Sequence, residues 1–152
     1  MFYTFLKNPA AETLLGHSLE LMAREIGKMP ECSGVRAVVL GGGYGRGEGG
    51  ATPGLEDMAS NSMKIVKAAR AKGLPVVFSC DAHIPGLDKE LELWGEHGIV
   101  GSDAAQPLAD FDVQESDFVI SKRRYDGFYQ TDLDLTLREL GVDTLIAVGC
   151  DT

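Results

Sequence analysis

The sequence is short of cysteines, cations and long apolar runs, and each shortage removes a class of protein. Cys32, Cys80 and Cys150 are three in number, and none belongs to a Cys-x-x-Cys pair. A disulfide framework and a structural zinc knuckle are therefore not expected, and the expected setting is a reducing cytoplasm. Lys and Arg number 14 against 23 Asp and Glu, for a formal net charge of -9. So acidic a chain has no electrostatic footprint for nucleic acid or for an anionic membrane surface. No apolar run reaches the length needed to cross a bilayer. The N-terminus, MFYTFLKNPAAETLL, lacks the basic stretch and apolar core of a signal peptide.

What is present reads as one domain over residues 1–152, with 44% hydrophobic residues and enough length for a real core. Residues 10–29 carry Leu15, Leu19, Met22, Ile26 and Met29 at helical spacing, and Pro30 closes the segment. Residues 1–34 are thus expected to be an atypical, helical N-terminal extension. VRAVVL (35–40) reads as a buried strand. Residues 56–72 read as a helix with Met58, Ile65, Val66 and Ala69 on one face, stopped by Gly73. PVVFS (75–79) and DFVIS (117–121) read as strands, 82–116 as mixed loop and short helix, 132–140 as a helix through Leu133, Leu137 and Leu140, and TLIAVG (144–149) as a fourth strand. Apolar strands alternating with amphipathic helices predict a parallel sheet covered on both faces. In such sheets ligands bind at the carboxyl ends of the strands.

The residues at those ends carry the chemistry. After the first strand comes GGGYGRGEGG, seven glycines in ten residues. After the second come Cys80-Asp81-Ala82-His83, and later Trp94-Gly95-Glu96-His97. An Asp and a His two apart, joined by a distant His, suit a three-ligand site for zinc or a similar divalent ion. The alternative is that both imidazoles bond loop backbone. After the third strand comes Lys122-Arg123-Arg124-Tyr125-Asp126-Gly127-Phe128. A lysine there would hold an anionic intermediate or activate a nucleophile; otherwise the run is a solvated basic turn. After the fourth strand come Cys150, Asp151 and Thr152.

Over about residues 60–152 these segments together resemble the isochorismatase-like cysteine hydrolases, which include the nicotinamidases. The resemblance rests on SMKIVKAARAKGLPVVF, CDAHIPG, ELWGEH, ISKRRYDGFYQTDLD and LRELGVDTLIAVGCDT, in that order. It implies a three-layer α/β/α fold with a mainly parallel sheet and hydrolysis of a small amide or related molecule. It places Lys122 on the catalytic lysine and Asp81, His83 and His97 on a metal trio. It sets Trp94, Tyr125 and Phe128 at a substrate pocket or subunit contact, and Cys150, Asp151 and Thr152 at the oxyanion turn. The family's Asp follows strand one, where this chain runs from Leu40 into Gly41-Gly42-Gly43; the position of its nucleophilic Cys falls three residues past Thr152. The expectation is a hydrolase scaffold with impaired turnover, truncated at its C-terminus or a divergent or fused relative. The uncovered last strand adds an expected homo-oligomer.

The glycine loop supports a different reading. Gly45, Gly47 and Gly50 match a dinucleotide pattern, but Ala51-Thr52-Pro53-Gly54 separates them from the next helix. GVRAVVLGGGYGRGEGG resembles the glycine turn of polymerase-beta-type nucleotidyltransferases, which would give Gly42, Gly43 and Arg46 a nucleotide. The competing expectations are thus a non-catalytic metal-binding or assembly module and a nucleotide binder.

Overall fold

The computed structural model describes residues 35–41 and 55–149, with side chains from residue 59 onward. Four strands form one sheet: β1 (Val35–Gly41), β2 (Val76–Asp81), β3 (Phe118–Lys122) and β4 (Val142–Gly149). Their order is β3-β2-β1-β4, and every pairing is parallel. From β1, in the middle of the sheet, the chain steps outward to β2 and β3, then crosses back to the far side of β1. The strand order therefore reverses between β1 and β4, where Gly41 and Gly149 end side by side.

Helix α1 (Leu55–Ala71) joins β1 to β2, and α3 (Leu133–Glu139) joins β3 to β4. The two crossovers run in opposite directions across the sheet, so right-handed connections place their helices on opposite faces. The packing agrees. Ile65, Val66 and Ala69 of α1 are fully buried and meet Val76, Phe78 and Val148. On the other face Leu133 and Leu137 of α3 pack with Val77, against Phe118, Ile120, Val142 and Leu145. The period-two alternation along β2 sends Phe78 and Cys80 to the α1 face and Val77 to the α3 face. This is the three-layer α/β/α arrangement. Burying a side chain such as Ile65 contributes about 1.5–3 kcal/mol.

Both helices end as the glycines predict. Gly73 adopts φ +64, its N–H donates to the Arg70 carbonyl at 2.9 Å, and the Leu74 N–H donates to Ala69 at 3.0 Å. This pair of bonds satisfies the last-turn carbonyls. Arg70 lies in the last turn of α1 and forms an ion pair with Asp117, just before β3, while donating to the Phe111 carbonyl at 3.1 Å. It thereby anchors the β2–β3 connection, which holds a short helix α2 (Glu90–Trp94) and 3-10 turns at Asp103–Ala105 and Ala109–Phe111.

Several strand boundaries differ from expectation. β2 runs to Asp81 rather than residue 79, and β3 runs to Lys122 rather than 121. The ladder continues because Cys80 pairs with Ser121 and Asp81 with Lys122, a cross-strand fit that local composition does not carry. β4 likewise begins two residues early, at Val142. The helix expected over 10–29, the extension 1–34, the glycine loop with Gly42, Gly43 and Arg46, and Cys150, Asp151 and Thr152 lie outside the described residues.

Candidate active site

The site is built where β2 and β3 end. Asp81 and Lys122 close their strands directly opposite one another. Their side chains share the α3 face, and Lys122 Nζ donates to Asp81 Oδ1 in a buried ion pair. A buried ammonium needs a counter-charge, and Asp81 supplies it. The ladder is extended by the Ala82 N–H donating to the Lys122 carbonyl at 2.8 Å.

A second segment then folds over this end. His83 and Ile99 form an isolated parallel bridge. The His83 N–H donates to the Gly98 carbonyl at 2.7 Å, and the Val100 N–H donates to the His83 carbonyl at 2.9 Å. Glycine is required at 98: the backbone adopts φ +49, and an added Cβ would lie 2.6 Å from Asp81 Cβ. That close approach carries His97 to His83, with ring centroids 4.6 Å apart and planes 67° from parallel.

Asp81, His83 and His97 each bring a ligand atom to a common place, all within 4.8 Å of one another. His97 Nδ1 lies 2.8 Å from the Gly95 carbonyl, so it is the protonated nitrogen and Nε2 keeps its lone pair. His83 is wholly buried, and neither of its ring nitrogens has a hydrogen-bond partner among the described residues. An orphaned buried imidazole is costly, and a metal ion would complete it. Two imidazoles and a carboxylate suit zinc or a similar divalent ion. The residues present therefore fit such a group.

The basic run after β3 is an exposed turn, but its arginines are tied down. Arg123 and Arg124 both bind the buried carboxylate of Asp88: Arg123 Nη2 at 2.6 Å and Nε at 3.1–3.2 Å, Arg124 Nη1 at 2.8 Å. The Ile84 N–H donates to the same carboxylate at 2.7 Å. These guanidinium bonds hold its pKa well below the usual carboxylate range. Asp88 closes the turn Ile84-Pro85-Gly86-Leu87, in which Gly86 has φ +73 and the Leu87 N–H donates to Ile84 at 3.2 Å. Arg123 and Arg124, with Ser121, Tyr129 and Gln130, line a cleft beside β3.

Trp94 ends α2 on the surface, 66% exposed, and Tyr125 is 63% exposed. Phe128 is half-buried against the Leu133–Leu137 core. Cys80 points to the opposite, α1, face and packs against that core. Burial, with the Asp81 charge beside it, pushes its thiol up to about 11. Sequence reasoning passed over Asp88 and Gly98. The turn dipeptide Pro85-Gly86 followed by an Asp was the available signal for the first; Gly98, directly after His97, carried no signal of its own.

Residues 37–152 match the isochorismatase domain. The chain belongs to the isochorismatase family. The family match begins inside β1 and so takes in the glycine loop as well as the segments from 60 onward. This isochorismatase-family chain is 29% identical over 131 residues to the ureidoacrylate amidohydrolase RutB of Variovorax paradoxus, covering 73% of this chain and 52% of that one. It spans about half the length, or less, of the curated relatives it matches first. Among solved structures, N-carbamoylsarcosine amidase from Thermoplasma acidophilum superposes with a TM-score of 0.69 at 33% identity, over 76% of this chain and 67% of that one. A pyrazinamidase of Pyrococcus horikoshii, solved in complex with zinc, shares the fold with a TM-score of 0.66 at 24% identity, over 81% of this chain and 72% of its own.

Proposed function

We propose that this chain carries the metal site and catalytic lysine of a hydrolase that acts on a small amide or related small molecule. One observation carries the reading: Asp81, His83, His97 and Lys122 converge at the ends of β2 and β3, and His83 is buried without a hydrogen-bond partner among the described residues. The amidohydrolase and amidase named above are consistent with that substrate class.

Each residue then has a task. Lys122 offers its ammonium to negative charge developing on the substrate, and Asp81 holds that ammonium in place. His83, His97 and the second oxygen of Asp81 would hold zinc or a similar ion. Such an ion, when bound, supplies Lewis-acid polarisation and a fixed point for substrate. Burial keeps water from the lysine–carboxylate pair and strengthens its field.

The same reading includes weak turnover. Gly41 ends β1, in register with Ser79 and Gly149, and offers no carboxylate where the resemblance expects the catalytic acid. Cys80, the free thiol among the described residues, is held protonated and faces the wrong side of the sheet. We infer that the 152-residue chain binds zinc and hydrolyses nicotinamide and other small amides slowly or not at all. Metal analysis together with turnover assays tests this. Zinc at one equivalent with trace turnover is expected; brisk turnover that survives Cys80→Ser with Cys150→Ser would overturn the thiol-based account. Absence of zinc from the protein purified in its presence would overturn the metal site. The subunits are further proposed to associate, which light scattering checks.

A further inference from the structure

His83 lies close to two sets of groups. One is the other ligand candidates, Asp81 and His97. The second is Asp88, whose Oδ2 is 4.0 Å from His83 Nδ1, just beyond hydrogen-bond reach. Both side chains are completely buried. Asp88 is not placed there by its own turn alone. It accepts from the Ile84 N–H, from the fork of Arg123 and from Arg124, and Arg124 is steadied by its bond to the Arg123 carbonyl at 2.7 Å.

Arg123 and Arg124 follow Lys122 directly in sequence. The strand end that presents the lysine therefore also fixes the carboxylate behind the histidine. A carboxylate beside one ring nitrogen of an imidazole decides which nitrogen carries the proton, and so which nitrogen is free to bind metal.

We propose that Asp88 is a positioning residue for the metal ligand His83: its carboxylate draws the proton to Nδ1 and leaves Nε2 as the donor toward Asp81 and His97. The proposal rests on the metal reading above and extends it to a residue outside the ligand trio. Arg123 and Arg124 act on the carboxylate, and through it on the imidazole.

Zinc titration of the full chain by competition with a chromophoric chelator tests the idea. Asp88→Asn keeps the shape of the side chain and an acceptor for the Ile84 N–H, and should weaken zinc binding by about 10–100-fold. Arg124→Gln leaves the carboxylate charged and the Arg123 fork in place, and should weaken zinc binding by less than Asp88→Asn does. Asp88→Glu, which restores the charge, should recover part of the affinity. An Asp88→Asn protein that is folded and binds zinc as tightly as the parent overturns the role of Asp88 and leaves the metal site standing. A parent chain that binds no zinc overturns both. Nitrogen-15 spectra of the zinc-loaded parent decide the matter even if Asp88→Asn fails to fold: a protonated Nδ1 on His83 is expected, and zinc on Nδ1 overturns the proposal.

Discussion

Asp81 and Lys122 occupy matching positions at the ends of neighbouring parallel strands, and their side chains form an ion pair that is almost wholly buried. Such a pair is more expensive to break than to have, because removing one partner strands the other charge away from water. Lys122→Met should therefore destabilise the protein by about 3–5 kcal/mol. The double variant Asp81→Asn with Lys122→Met should recover a large part of that loss. Urea unfolding of the two single variants and the double variant measures the coupling; additive losses would show that the pair is not coupled.

Gly98 lies against Asp81 with its backbone at φ +49. Gly98→Ala forces a methyl group to within 2.6 Å of Asp81 Cβ, and neither backbone can yield cheaply. The expected cost is at least about 2 kcal/mol, the sum of left-handed strain and overpacking. Because the displaced segment carries His97, zinc affinity should fall with stability. Gly101→Ala is the control: it has a positive φ but open space around it, so stability should fall by about 1 kcal/mol with zinc affinity retained.

Burial raises the Cys80 thiol to about 11. At pH 8 its thiolate fraction is then about 100-fold below that of an exposed cysteine. Alkylation of Cys80 by iodoacetamide, followed by peptide mass spectrometry, should be correspondingly slow and should quicken as pH rises toward that value. Rapid labelling at pH 7 would contradict the packing described for β2.

Asp88 has its pKa lowered, first by the bonds from Arg123 and Arg124. A carboxylate depressed in the folded state stabilises the fold above its unfolded pKa, about 4, and loses that contribution as pH falls below it. Thermal unfolding between pH 6 and pH 3 should show this. The parent chain should lose more stability over that interval than Asp88→Asn, which has no charge to lose; parallel curves would contradict the Asp88–arginine ties.

Much of the fold was legible because it is written in local periodicity. The Ile65-Val66-Ala69 face and the stops at Gly73 and Gly141 specify α1 and α3 without reference to anything distant. The apolar runs 76–78 and 145–148 are equally local. The Asp81-x-His83 spacing and the position of Lys122 were visible for the same reason: they are short patterns beside predicted strands.

What lay beyond the sequence depends on contacts between segments far apart in the chain. Arg123 and Arg124 looked like a solvated run, since nothing near them in sequence reveals a carboxylate 35 residues away. Trp94 and His97 stood together in one motif, yet the bridge from His83 to Ile99 takes only the histidine, half-buried, to Asp81 and His83. The residue types that make a sheet, two helices and a set of metal donors were determined by the sequence itself, because hydrophobic period and side-chain chemistry are local properties. Which charges face each other, which imidazole is left buried without a partner, and which face receives Cys80 were decided only by the tertiary structure. Strand register and the close approach at Gly98 set those distances, and no local pattern encodes them.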